Sequence, residues 1–209
     1  MFVSPGGQSE GGAQVRAAGY QWAALDVADG HAWEDWAESR AQFSRAGLRI
    51  PIWGRVANMP LDELLNEAIA LHVPCILNIE DEFKATPPAV FERQIRAIRA
   101  AHPGYTRETV ISTVGWLYND VDYSPMRARP FLLQLFPDDM HISHADLPRV
   151  TADCIAHAKL KGLRDVGVTF QTYHDAEPDW YGYWGLRPRS LFSGDAVGAA
   201  QAWSQWKVG

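Results

Sequence analysis

The chain of 209 residues is 47% hydrophobic and 21% charged, the composition of an ordinary soluble globular protein. Its net charge of -6 and scattered Lys and Arg exclude a nucleic-acid surface, because phosphate binding needs clustered positive charge. No apolar run approaches the roughly 18 residues of a membrane span. We therefore expect one domain over residues 1–209, with neither nucleic acid nor membrane as a partner.

The cysteines and the N-terminal segment indicate where the chain is made. Cys75 and Cys154 fall in an apolar strand signal and a predicted helix, where free thiols act as small core residues. The first residues lack a basic stretch followed by an apolar one, so no export signal is visible. We expect synthesis in a cytoplasm, with a site of action in a virion or outside the cell left open.

Hydrophobic periodicity predicts alternating strands and helices in the first part of the chain. The predicted elements are a strand at 2–5, a helix at 10–19, a strand at 22–27, a helix from 33 that ends before Gly47, a strand at 48–56, a helix at 60–71 and a strand at 73–82.

The second part continues the alternation less regularly. The predicted elements are a helix at 86–101, a strand at 110–116, a loop with a short helical turn at 117–130, a strand at 131–136, a helix at 146–160, a strand at 166–173, a loop at 175–188, a strand at 189–192 and a final helix from 193. Eight strand signals alternating with helices predict an α/β fold, a compact (β/α)8 TIM-type barrel with some helices reduced to loops. A doubly wound open sheet is the alternative, but no glycine-rich phosphate loop supports it.

The strand signal at 73–82 is unusual because it ends in acidic residues. Since strand side chains alternate in direction, Asn78, Glu80 and Glu82 are predicted to share one face. The C-terminal ends of barrel strands open onto the face where such folds place their chemistry. We therefore expect Glu80 and Glu82 to point together into a pocket.

Polar and aromatic residues are predicted at the ends of other strands as well. Carboxylates, amides and flat aromatic faces are the groups that a sugar-binding cleft uses. Cleavage of a glycosidic bond needs an acid for the leaving oxygen and usually a second assisting group. Glu80 is the candidate acid, with Glu82 and Asp26 as assisting carboxylates. The candidate substrate-binding residues are Asn78, Trp53, Arg55, Trp116, Gln134, Gln171 and Tyr173.

The run Asn78-Ile79-Glu80 resembles the Asp-x-Glu motif of the family 25 glycoside hydrolases, the TIM-barrel muramidases. The same run is also similar to the corresponding motif in related barrels of bacteriophage lysins and tail proteins. The resemblance implies that Glu80 is the catalytic acid and that peptidoglycan or a related N-acetylated polysaccharide is the partner. The motif Asp falls on Asn78, whose amide lacks the negative charge that supports the 2-acetamido group in that family.

Two weaker similarities point to the same group of barrels. Asp26 resembles the acidic residue that the family carries at the end of an early strand. The segment 190–195, followed by Trp203, is similar to the closing segments of phage tail barrels. A barrel that has lost catalysis, and serves as a carbohydrate-binding or structural module of such a particle, is the alternative function.

The candidate residues also have simpler interpretations. Glu80 and Glu82 could be structural carboxylates paired with Arg55 or another base, and Asp26 could cap the following helix. His141 and His144, together with the two Glu residues, leave a metal-dependent chemistry as a third option. We predict no metal and no cofactor.

Overall fold

The structure is a computed structural model that describes residues 2–3, 13, 16–17, 21–26, 33–135 and 146–170. Within these residues seven strands form one sheet. The strands are β1 (Phe2–Val3), β2 (Ala24–Asp26), β3 (Ile52–Arg55), β4 (Cys75–Asn78), β5 (Thr109–Val114), β6 (Pro130–Leu135) and β7 (Asp165–Phe170).

Every strand pairs in parallel with the strand that follows it in the chain, from β1 to β7. A doubly wound sheet reverses its strand order at a switch point, and no reversal occurs among these strands. The sequential parallel order is that of a TIM-type barrel, which confirms the predicted fold class. The predicted strand at 189–192 and the final helix lie outside the described residues.

Helices connect most of these strands. They are α1 (Trp33–Arg45), α2 (Leu61–Ala70), α3 (Glu82–Ala85), α4 (Pro88–Ala101) and α5 (Leu147–Leu160), with a 3-10 turn at Ser124–Met126. The long connection from β5 to β6 contains only that turn, as predicted for residues 117–130. Within the predicted helix at 10–19, the described residues Ala13, Arg16 and Ala17 are helical. The short helix α3 was not predicted. None of the helices in the described ranges is long and apolar enough to cross a membrane.

The helix α2 shows why these segments fold as they do. Its apolar residues recur at helical spacing, and Leu61, Leu64, Leu65 and Ala68 are all buried. Pro60 stands just before the first turn, where its missing N–H costs no helical hydrogen bond. A Cβ atom at Gly54 of β3 would lie 2.5 Å from the Leu64 side chain, so glycine lets α2 pack closely on the sheet.

Side chains on alternate positions of the strands divide the core into two parts. Leu77 and Ile111 belong to the large cluster that includes helix residues such as Ile95. Trp53 and Ile76 form a second cluster on the other face of the sheet, with Val110 and Leu132 packed against it. The second face is the barrel interior, because the helices cover the first. Both cysteines are free thiols in the core, and burial raises the pKa of Cys75.

Candidate active site

The strand β4 ends earlier than the sequence predicted, at Asn78. The N–H of Ile79 still donates to the Ser112 carbonyl (2.8 Å), but the N–H of Phe83 donates to the carbonyl of Glu80 (3.2 Å) and begins a helical turn. The prediction that strand alternation brings Glu80 and Glu82 to one face is therefore wrong. Both residues lie on the turn that leaves the sheet.

Two amides hold the carboxylate of Glu80 at the C-terminal end of the strands. Asn78 Nδ2 donates to Glu80 Oε1 at 2.9 Å. Gln134 Nε2, from β6, donates to Asn78 Oδ1 at 2.6 Å and to Glu80 Oε1 at 3.3 Å. Three predicted site residues, from β4, the turn after it and β6, thus form one hydrogen-bonded cluster, which we call the amide cluster (Asn78, Glu80 and Gln134).

Burial differs within the amide cluster. Asn78 and Gln134 are 2% and 8% exposed, whereas Glu80 is half-buried. Within the described part of the chain, Oε2 of Glu80 makes no hydrogen bond. Ser112, in register with Asn78 on β5, is also fully buried, and its hydroxyl has no partner among those residues. The cluster therefore presents one fixed carboxylate with one oxygen that none of the described residues binds.

Glu82 has a different position from the one that strand geometry predicted. It is the first residue of α3, and its Oε2 accepts the backbone N–H of Glu80 at 2.7 Å. This contact closes the turn between β4 and α3. The carboxylate of Glu82 thus binds the backbone of Glu80 and lies close to it in sequence and in space.

Asp81, between these two residues, contacts the loop after β5. The Tyr118 hydroxyl donates to Asp81 Oδ1, and Lys84 Nζ lies 2.9 Å from the same oxygen. The Tyr118 hydroxyl and then Lys84 lower the pKa of Asp81. Burial, followed by the bond to Asp81, raises the pKa of Tyr118. Sequence reasoning missed Tyr118, because no local pattern joins residues 37 positions apart.

The remaining described candidates surround this cluster. Trp53 is only 6% exposed and packs on Ile76 in the barrel interior, and Asp26 is in register with Trp53. Arg55 is in register with Asn78 and is exposed. Among the described residues it forms no ion pair with Glu80 or Glu82. Trp116 follows β5 and is 46% exposed.

Gln171 and Tyr173 lie outside the described residues, as do His141 and His144. Across the described ranges, no group of three or more His, Cys, Asp or Glu residues is arranged to hold a metal ion.

Comparisons with known proteins show a similarity of fold. No protein-family model matches the sequence, and no curated protein matches it. The structure is similar to the catalytic domain of a mannanase from Streptomyces sp. SirexAA-E, with a TM-score of 0.51 and 14% identity over 95% of this chain and 71% of that one. It is also similar to a truncated 3-deoxy-D-arabino-heptulosonate 7-phosphate synthase from Thermotoga maritima, with a TM-score of 0.45 and 9% identity over 99% of this chain and 87% of that one. At such low identity the mannanase likeness shows the barrel fold alone.

Proposed function

We propose that this protein is a glycoside hydrolase of N-acetylated polysaccharides such as peptidoglycan, with Glu80 as the proton donor. The observation that carries the proposal is the amide cluster, in which two buried amides hold Oε1 of Glu80. The cluster lies at the C-terminal end of β4 and β6, where barrel enzymes place their catalytic groups. The catalytic domain of a mannanase has a similar fold, so a barrel of this kind can carry glycoside hydrolysis.

The fixed carboxyl of Glu80 suits the first step of the reaction. Hydrolysis requires a carboxylic acid that protonates the glycosidic oxygen as the bond to the anomeric carbon breaks. Because both amides bind Oε1, Oε2 is the oxygen that carries the proton to the substrate. Asn78 and Gln134 act as positioning residues for that atom, since an acid misplaced by about 1 Å loses much of its catalytic effect.

The second catalytic group is the acetamido group of the substrate itself. Glu82 already binds the N–H of Glu80, and Asp81 binds Tyr118 and Lys84. The two carboxylates next to Glu80 are therefore engaged in protein contacts. Substrate-assisted hydrolysis, in which the 2-acetamido oxygen attacks the anomeric carbon, needs no second protein nucleophile. Asp26, two strands away from β4, is the candidate for supporting that group.

The test is release of reducing ends from peptidoglycan and from chitin oligosaccharides. Glu80→Gln keeps the shape of the side chain but removes the acid, so we expect the rate to fall by a factor of about 100 to 10,000. Glu108→Gln is the matched control, because Glu108 is exposed and precedes β5 at the opposite end of the strands. Wild-type hydrolysis that persists in Glu80→Gln would contradict the proposal.

A second candidate is a barrel that binds the polysaccharide without cleaving it, for example as a module of a phage tail or a similar particle. The observation that favours it is Asn78, whose amide stands where the muramidase motif has an acid. Asn78 Nδ2 donates to Glu80 and its Oδ1 accepts from Gln134, so it carries no charge toward a substrate.

The variant Asn78→Asp separates the two candidates. If the wild-type protein binds wall fragments without turnover and Asn78→Asp gains turnover, the binding function is correct. If the wild-type protein already hydrolyses the polymer, the enzyme function is correct and Asn78 is part of its positioning machinery. Binding is measured by calorimetry with chitin oligosaccharides, with Glu80→Gln as the non-hydrolysing reference.

A further inference from the structure

The residue between the two site glutamates is held by the neighbouring loop. Asp81 accepts a hydrogen bond from the Tyr118 hydroxyl. Lys84 Nζ lies 2.9 Å from the same Asp81 oxygen and 4.5 Å from the centroid of the Tyr118 ring. We call these three residues the rim latch (Asp81, Lys84 and Tyr118). The rim latch joins the turn after β4 to the loop after β5.

The tyrosine is the decisive member of the rim latch. The side chains of Lys84 and Asp81 are 54% and 74% exposed, and ion pairs so exposed contribute little to stability. Tyr118 is less exposed than either of them, and it comes from a different loop. Its hydroxyl is therefore the contact that ties Asp81 to the loop after β5.

Tyr118 is itself fixed from the protein interior. Its backbone N–H donates to the hydroxyl of Tyr123 at 3.3 Å. Tyr123 is fully buried and packs edge-on against Phe83 of α3 (5.1 Å) and Phe131 of β6 (6.3 Å). The loop that carries Tyr118 is thus anchored to the same core that supports α3.

The backbone next to Tyr118 is strained in a way that agrees with a fixed position. Leu117 is 2% exposed and has a φ of 33°, a left-handed region that leucine rarely occupies. Such a conformation persists only where its surroundings determine it. Here the buried Leu117 side chain and the anchored Tyr118 determine the course of the loop.

We propose that Tyr118 is a positioning residue for Glu80, acting through Asp81. With Asp81 held by Tyr118, the turn keeps its closing bond from the Glu80 N–H to Glu82. The Glu80 side chain then stays within reach of Asn78 and Gln134. The catalytic part of this inference rests on the proposed function, whereas the ordering of the turn does not.

The experiment compares Tyr118→Phe with Tyr105→Phe. Each change removes one hydroxyl that makes a hydrogen bond, but Tyr105 bonds the Val73 carbonyl before β4, at the other end of the strand. The first readout is amide hydrogen exchange at Glu80, Phe83 and Lys84, whose N–H groups bond within the turn. The second readout is kcat and KM on the polysaccharide that the wild-type protein cleaves.

For Tyr118→Phe we expect exchange at these three amides to accelerate about tenfold, the effect of one lost hydrogen bond on local opening. Tyr105→Phe should leave their exchange unchanged. We also expect kcat to fall while KM stays near the wild-type value, because binding groups are retained and only the acid is displaced.

Two outcomes would overturn the inference. One is unchanged exchange in the turn of Tyr118→Phe, and the other is a wild-type kcat in an active protein that carries this substitution. Failure of the proposed function looks different, because the wild-type protein would then release no reducing ends. In that case the exchange measurement alone decides whether Tyr118 orders the turn.

Discussion

Two glutamates with contrasting surroundings, Glu80 and Glu92, show how this barrel uses its carboxylates. Glu92 of α4 is 6% exposed. Arg129 donates to both of its oxygens (2.5 and 3.1 Å), and Arg96 donates at 2.6 Å. Glu80 is half-buried and is held by two neutral amides on one oxygen. The more deeply buried carboxylate is therefore also the more completely neutralised one.

The difference separates a structural carboxylate from a candidate catalytic one. Both oxygens of Glu92 are bound by guanidinium groups, so neither can reach a substrate. The sequence left open a structural role for Glu80 and Glu82, in which each carboxylate pairs with a basic side chain. That role belongs to Glu92, which joins α4 to the residue preceding β6. Amides, by contrast, fix Glu80 without placing a positive charge beside it.

The largest stability effect is expected at Glu92. Glu92→Gln leaves Arg129, whose side chain is 13% exposed, without a counter-charge, and breaking a buried pair in this way costs about 3 to 5 kcal/mol. Denaturant unfolding measures the loss. An unfolding free energy close to that of the wild-type protein would show that Glu92 is not the structural member of the comparison.

A smaller loss of stability is expected from a substitution inside the amide cluster. Gln134→Leu removes the donor to the buried oxygen of Asn78, and an unsatisfied buried acceptor costs about 1 to 3 kcal/mol. Gln94→Leu, on the exposed face of α4, is the control for the same chemical change. Equal stability of the two variants would contradict the view that Gln134 holds the cluster together.

The smallest effect on stability is expected at Asp81, whose contribution depends on pH. Its folded-state pKa is lowered, first by Tyr118 and then by Lys84. The stabilising contribution of the ionised Asp81 is therefore present above pH 3.8, the ordinary pKa, and is lost as the pH falls through the lowered pKa of the folded state. The stability difference between the wild-type protein and Asp81→Asn should therefore shrink in acid. Denaturation midpoints from neutral pH to below 3.8 test this. A constant difference would show that the rim latch does not depend on the charge of Asp81.

Much of the fold follows from patterns that are local in the sequence. The apolar spacing in α2 and α4 and the short apolar runs of β4 to β6 predict their elements within a few residues. Their regular alternation then predicts a parallel barrel, because each helix returns the chain to the same end of the sheet. The predicted end of β4 was wrong. Nothing in an acidic run of residues indicates a turn that is closed by a hydrogen bond from the Glu80 N–H to the Glu82 carboxylate.

The candidate site was only partly predictable for the same physical reason. Asn78, Glu80 and Gln134 stand at strand ends, so the barrel order brings them together from their positions alone. The contacts of Tyr118 with Asp81 and of Arg129 with Glu92 each join residues 37 positions apart. Such pairs depend on where loops and helices pack, which periodicity does not encode.

The most direct measurement is the specific rate of reducing-end release by Glu80→Gln and Glu92→Gln, assayed side by side where both variants are folded. Glu80→Gln should lose activity by a factor of about 100 or more. Glu92→Gln should retain the wild-type rate per folded molecule, because Glu92 supports the fold and does not touch the substrate. Retained activity in Glu80→Gln, or no activity in the wild-type protein, would contradict the assignment of Glu80 as the acid.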